Sequence, residues 1–259
     1  MSNEKLINEL TEKKQNPIAT MRDFLEKHKQ QLVLALPKHL SADRMIRLAC
    51  TEISKNPALL NCDKNSLFGA IIQSSQLGLE IGSLGQAYLI PFKNRKTGGT
   101  DCQFIPGYKG LLTLARRSGE LKSISTHIVY ERDQFEMSLG IDEHVKHVPC
   151  LFGDRGKEVL VYGVAKFNDG GHQLEWMSID DVNKIRARSQ SSAYGAWVTD
   201  YGQMVRKTII RRMCNYLPMN PELQNAIQIL DAHDEGKSAI IDDGVVITSE
   251  DSETVEVKK

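Results

Sequence analysis

Two stretches of this 259-residue chain interleave cations with aromatic rings and hold few acids of their own. The first, Tyr88 to Lys122, carries Lys93, Arg95, Lys96, Lys109, Arg116, Arg117 and Lys122 against Asp101 and Glu120, with Tyr88, Phe92, Phe104 and Tyr108 among them. The second, Asn183 to Tyr216, carries Lys184, Arg186, Arg188, Arg206, Lys207, Arg211 and Arg212 against Asp200 alone, with Tyr194, Trp197, Tyr201 and Tyr216. Cations neutralise phosphates and flat rings accept unstacked bases, so this pattern offers the chemistry of single-stranded nucleic-acid binding. The candidate contacts are Lys93, Arg95, Lys96, Tyr108, Lys109, Arg116, Arg117, Lys184, Arg186, Arg188, Trp197, Tyr201, Arg206, Lys207, Arg211 and Arg212.

Other chemistries find less support. The Gly236-Lys237-Ser238 tripeptide lacks the leading glycine of a phosphate-binding loop, because position 231 is Asp and no strand precedes it. Gly78, Gly82 and Gly85 do not form a dinucleotide fingerprint and read as a helix cap and a turn into a strand. His144 and His147 stand three apart on an expected strand, where they point to opposite faces and read as surface polar residues. Neither a nucleophile elbow nor a paired Cys and His is present, so no catalytic site, metal or cofactor is expected.

The formal net charge of zero conceals an uneven distribution. Residues 231–259 hold nine acidic side chains against three lysines, and residues 1–230 carry the balancing positive excess. A basic body with an acidic tail suits a polyanionic ligand. Five cysteines (Cys50, Cys62, Cys102, Cys150 and Cys214) are odd in number and widely spaced, which favours reduced thiols packed as small hydrophobes in a cytoplasmic protein. Neither an export signal nor an apolar run of about 18 residues is found, so no membrane partner is expected.

The positioning elements follow from periodicity. Residues 1–17 read as a polar arm ending at Pro17; helices are expected from Thr20 to Leu36, from an N-cap at Ser41, and from Ser66 to Leu77. Gln86–Phe92 and Thr100–Pro106 flank a basic, Gly-containing loop and read as a hairpin, followed by a helix over Gly107–Ser118: a β-β-α unit. Strands are expected at Leu121–Glu131, Glu136–Ser138, His144–Val148, Glu158–Asn168 and His172–Met177, then a helix capped by Ser178. A long basic helix is expected over Val198–Tyr216, with Arg206, Lys207, Arg211 and Arg212 as a stripe, and a short one over Pro221–Leu230. The fold class is α+β, with a helical N-terminal part, a central antiparallel sheet and a long basic C-terminal helix.

At four blocks the chain resembles the RecT family of phage and prophage single-strand annealing recombinases. They are ALPKHLSADRMIRLACTEISKNPALLNCDKNSLFGAIIQSSQLGLEIGS, GQAYLIPF, GYKGLLTLARRSGELKSI and WVTDYGQMVRKTIIRRMCNYLP, together spanning Ala35 to Pro218. The resemblance implies an ATP-independent protein without catalytic residues that binds single-stranded DNA, forms rings or helical filaments, and anneals complementary strands into duplex. It further implies a 5′ to 3′ exonuclease partner, contact with a host single-strand-binding protein, and a core similar to that of Red-beta. The expected organisation is an assembly arm and first helix over 1–34, a DNA-binding and annealing domain over 35–230, and an acidic, disordered tail over 231–259. The rival readings are a metal-dependent nuclease, which needs clustered carboxylates, and a sequence-specific regulator, which needs a helix reading base edges.

Overall fold

The computed structural model describes residues 16–94, 97–189, 192–193, 196–234, 237, 239–242 and 245–248. The chain divides into two compact units, residues 1–110 with 237–259 and residues 111–236. Helices and antiparallel strand pairs together make the chain α+β. Among the described residues no helix is long and apolar enough to cross a membrane.

The first unit opens with α1 (Pro17–Lys27), α2 (Lys29–Ala35), α3 (Ala42–Lys55), a 3-10 turn at Pro57–Asn61, and α4 (Lys64–Gln76). Pro17 starts α1 instead of ending an arm, because the first helical position needs no N–H, and the Asn16 side chain accepts from Ile18 N at 3.1 Å. The rest of the expected arm lies outside the described residues. The helix expected over Thr20–Leu36 is broken at His28, whose N–H turns back to the Leu25 and Glu26 carbonyls while ring Nδ1 bonds to Phe24 O at 2.9 Å. Ser41 caps α3 as expected, accepting from Arg44 N, and Met45, Ile46, Ala49 and Ile53 are buried. α4 begins two residues before expectation because Asp63 is its cap, accepting from Asn65 N and Ser66 N, both at 2.9 Å.

Strands β1 (Ala87–Lys93) and β2 (Thr100–Pro106) form the expected hairpin, with Leu89 opposite Phe104 on its buried face and α4 packed against β2. Helix α5 (Tyr108–Arg116) follows, and the division between the units falls within it. The first unit also holds a hairpin where an unstructured tail was expected: β8 (Ala239–Asp242) pairs with β9 (Val245–Thr248), and Gln73 Nε2 donates to Ala239 O at 3.0 Å. The Asp243-Gly244 dipeptide between two apolar runs is a hairpin signal in the sequence that a count of acidic charges does not register.

In the second unit β3 (Leu121–Tyr130), β6 (Glu158–Phe167) and β7 (His172–Ser178) form an antiparallel sheet in the order β3-β6-β7, and β4 (Gln134–Ser138) pairs with β5 (His144–Val148). Strand alternation sends Ile128, Val161 and Met177 to one face, where they pack with Val182, Trp197, Val205 and Ile209. Those last four come from α6 (Ile179–Arg188), α7 (Ala196–Thr199) and α8 (Tyr201–Cys214). Val129, Tyr162 and Leu174 face the other way, against Phe135, Met137 and Val145 of the β4–β5 hairpin. Gly163 makes room for α8, since a Cβ there would stand 2.5 Å from Met213 Cε.

Two expectations change here. The helix expected over Val198–Tyr216 is interrupted at Asp200 (φ −139°, ψ 45°), whose carboxylate accepts from Thr199 Oγ1 at 2.7 Å. A short acidic side chain that bonds locally competes with helix continuation, and the break lets Trp197 enter the core. The last helix, α9 (Pro221–Asp234), runs past the boundary expected at 230 and buries Leu223, Ala226, Ile227 and Leu230.

Beside β4 and β5 lies a buried network. The Asp133 carboxylate receives Tyr130 N at 2.9 Å, Cys150 N at 2.9 Å, Arg155 Nε at 3.0 Å and Nη2, and lies 3.0 Å from His147 Nε2. His147 Nδ1 meets Tyr162 Oη at 3.1 Å. His147 is thus a buried structural residue, contrary to its expected surface role, while His144 is exposed. All five cysteines are free thiols, with Cys150 alone partly exposed.

Candidate nucleic-acid interface

The candidate residues divide between the units. Lys93, Tyr108 and Lys109 belong to the first, where Lys93 is exposed at the end of β1, Tyr108 opens α5 half-buried and Lys109 is exposed beside it. Arg95 and Lys96 lie outside the described residues. In the second unit, Arg116 is exposed in the last turn of α5, and Arg117 is exposed and feels the Glu222 carboxylate.

Further along, α6 ends with basic residues, as the helix dipole favours. Lys184 pairs with Asp181 at 2.8 Å, a hydrogen bond that raises its ammonium above the ordinary lysine value. Arg186 donates from Nε to Ser192 O at 3.1 Å and lies over the Tyr201 ring at 5.6 Å. Arg188 is exposed. Tyr201 donates its hydroxyl to Asn183 Oδ1 at 3.0 Å and leans on the core, its ring centroid 6.2 Å from that of Trp197. Trp197 itself is 4% exposed and packed among the core side chains, so it has no free face for a base. Trp176, on β7, is the more open indole at 38% exposure.

The stripe on α8 is more neutralised than segment counting implies. Arg211 Nη2 pairs with Asp231 at 2.8 Å and Nη1 with Asp234 at 2.6 Å, while Arg212 Nε pairs with Glu175 at 3.0 Å. These acids come from α9 and β7, at least 20 positions away in sequence, so no local window contains them. Arg206 donates weakly to Gly202 O at 3.4 Å, and Lys207 is exposed. Although the residue as a whole is exposed, protein around its ammonium, and then the Arg211 cation, hold that group below the usual lysine value, with Asp234 opposing.

Thus the second unit brings Arg186, Tyr201 and Trp197 together at the α6–α8 junction, and Lys207 and Arg211 together on α8. Among the described residues, Lys93, Lys109, Arg116, Arg117, Lys184 and Arg188 occupy exposed positions. Tyr88, a ring of the first basic segment that is not among the candidate contacts, is 45% exposed on β1; the alternation of Ala87 and Leu89 inward marks it as outward-facing. Among the described residues no group of three or more His, Cys, Asp or Glu side chains is placed to hold a metal ion.

Comparison with known proteins is consistent with the four sequence blocks. The RecT family model matches residues 43–245. Protein RecT of Escherichia coli (strain K12) is 46% identical over 227 residues, covering 86% of this chain and 82% of that protein. The uncharacterized protein YqaK of Bacillus subtilis (strain 168) is 25% identical over 210 residues, covering 78% of this chain and 69% of its own. A family match over most of the sequence, with this identity to a relative covered along most of its length, means that the chain belongs to the RecT family.

Proposed function

We propose that this protein binds single-stranded DNA in the cytoplasm, self-associates on it as a ring or filament, and pairs complementary strands without hydrolysing a nucleotide. Membership of the RecT family is the observation that carries this reading, and the exposed cations Lys93, Lys109, Arg116, Arg188 and Lys207 support it. Neither the nuclease nor the regulator reading is favoured by that membership.

The physical route needs no motor. Two strands repel through their phosphates and fold on themselves; cations that neutralise and extend one strand leave its bases open to the other. Duplex stacking then contributes about 1.4 kcal/mol per step, so tens of matched steps outweigh the cost of rearranging the protein. Sequence information resides in base pairing, and the protein is sequence-neutral. A 5′ to 3′ exonuclease supplies the strands, and the host single-strand-binding protein meets the same substrate.

Mixing two labelled complementary oligonucleotides with the protein, without ATP or Mg²⁺, tests the proposal. Accelerated pairing that is indifferent to sequence is expected. A requirement for ATP hydrolysis, or binding restricted to one duplex sequence, overturns it.

A further inference from the structure

Three glycines bring β1 and the start of α5 into backbone contact. Gly107 N donates to Gln86 O at 2.8 Å. A Cβ on Gly107 would stand 2.2 Å from Gly85 O and 2.9 Å from Tyr88 Cε2, and one on Gly110 would stand 2.3 Å from Gln86 O. Gly85 has φ +70°, in the region that favours glycine. Two of these residues occupy or adjoin the first turn of α5, where glycine lowers helix stability, so the close approach is kept at a cost.

Its result is a juxtaposition of side chains. Tyr88 Oη lies 3.1 Å and Lys109 Cδ 3.4 Å from the point where a Gly85 Cβ would stand, so the tyrosine hydroxyl and the lysine stem meet over one glycine. Tyr108 adjoins Lys109 in sequence, and burial foremost, then the Tyr108 hydroxyl and the Glu52 carboxylate, push the Tyr88 hydroxyl above the ordinary tyrosine value. Tyr88 and Ile90 share the outward face of β1 and remain exposed, while Ala87 and Leu89 between them fill the core. A ring held this way gives up little conformational freedom when a flat partner lands on it, and the lysine beside it suits a phosphate one bond rotation away from that partner.

We propose that Tyr88 is a stacking platform for an unpaired nucleobase and that Lys109 takes the flanking phosphate. The proposal rests on the single-strand reading above and names the site within it. Because every base has a π-face, such a platform is sequence-tolerant, as annealing of arbitrary strands requires.

The test compares binding of the full chain to a labelled oligothymidylate and to an abasic phosphodiester of the same length, over a range of salt concentrations. Tyr88→Ala is expected to weaken oligothymidylate binding roughly 5- to 150-fold, the worth of one stacked base, with abasic binding and the salt slope unchanged. Tyr88→Phe keeps the ring and is expected to bind like the unsubstituted chain. Lys109→Ala is expected to weaken both ligands and to reduce the salt slope by about 0.7. Unaltered oligothymidylate binding by Tyr88→Ala, or equal loss on the abasic strand, overturns the platform while leaving the single-strand reading intact. If the unsubstituted chain binds neither ligand, the single-strand reading fails and takes the platform with it.

Discussion

Removing the two carboxylates that hold Arg211 tests whether the α8 stripe meets DNA. Both terminal nitrogens of Arg211 are occupied, one by Asp231 at 2.8 Å and the other by Asp234 at 2.6 Å. A double variant, Asp231→Asn with Asp234→Asn, keeps side-chain size, deletes two negative charges and leaves the guanidinium with amide oxygens at most, its charge no longer paired. Both acids are more than half exposed, so each pair contributes about 1 kcal/mol or less to folding, and the variant should remain folded. If Arg211 then engages one more phosphate, the slope of log affinity against log salt steepens by about 0.7, a further fivefold change in affinity for each tenfold change in salt. Fluorescence anisotropy on a labelled single strand at several salt concentrations measures this directly. This is a cleaner perturbation than Arg211→Ala with Arg212→Ala, which would leave Glu175, 12% exposed, without its partner. Unchanged affinity and slope would refute the reasoning and make Arg211 a clamp that holds α9 to α8.

The same residues show what a sequence makes legible. Caps and alternation are local properties, so Ser41, Ser178, the β1–β2 hairpin and the five strands of the second unit follow from a few neighbouring positions. Charge neutralisation is not local: the partners of Arg211 and Arg212 come from other elements and turn an apparently bare stripe into a half-paired one. Burial of an aromatic ring is equally a tertiary outcome. Trp197 and Tyr88 are both rings among cations in sequence, yet the break at Asp200 sends one into the core while strand alternation leaves the other at the surface. The Asp133 network was invisible because its donors are the backbone of Tyr130 and Cys150 together with Arg155 and His147, a set assembled only when β3, β5 and the loop after β5 meet.

Three further outcomes are expected. Trp197→Ala should cost about 3 to 5 kcal/mol of stability, while Trp197→Phe costs less and binds DNA normally; a selective loss of DNA binding at full stability would return the indole to the interface. Gly110→Ala should destabilise by about 1 to 3 kcal/mol in thermal melts, because its Cβ meets the Gln86 carbonyl and backbone cannot rotate aside; an unshifted melt would show that the contact relaxes freely. Asp133→Asn puts an amide donor among groups that already donate, and removes the partner of Arg155. Because Arg155 is about one-third exposed and can turn toward water, the cost belongs at the lower end for a broken buried pair, about 3 kcal/mol, or roughly 6 to 12 °C in melting temperature. The Arg155 guanidinium foremost, then the N–H groups of Cys150 and Tyr130 and the His147 ring, hold the Asp133 carboxyl well below the usual carboxylate range against the opposing effect of burial. A carboxyl with a depressed folded pKa stabilises fully above its unfolded value of about 3.9 and loses that contribution as pH falls below it. The stability gap between the unsubstituted chain and Asp133→Asn should therefore be widest at neutral pH and narrow progressively below about pH 4. Denaturant titrations at stepped pH measure the gap, and a gap that stays constant into the acid range would mean that ionisation of Asp133 does not contribute to the stability of the fold.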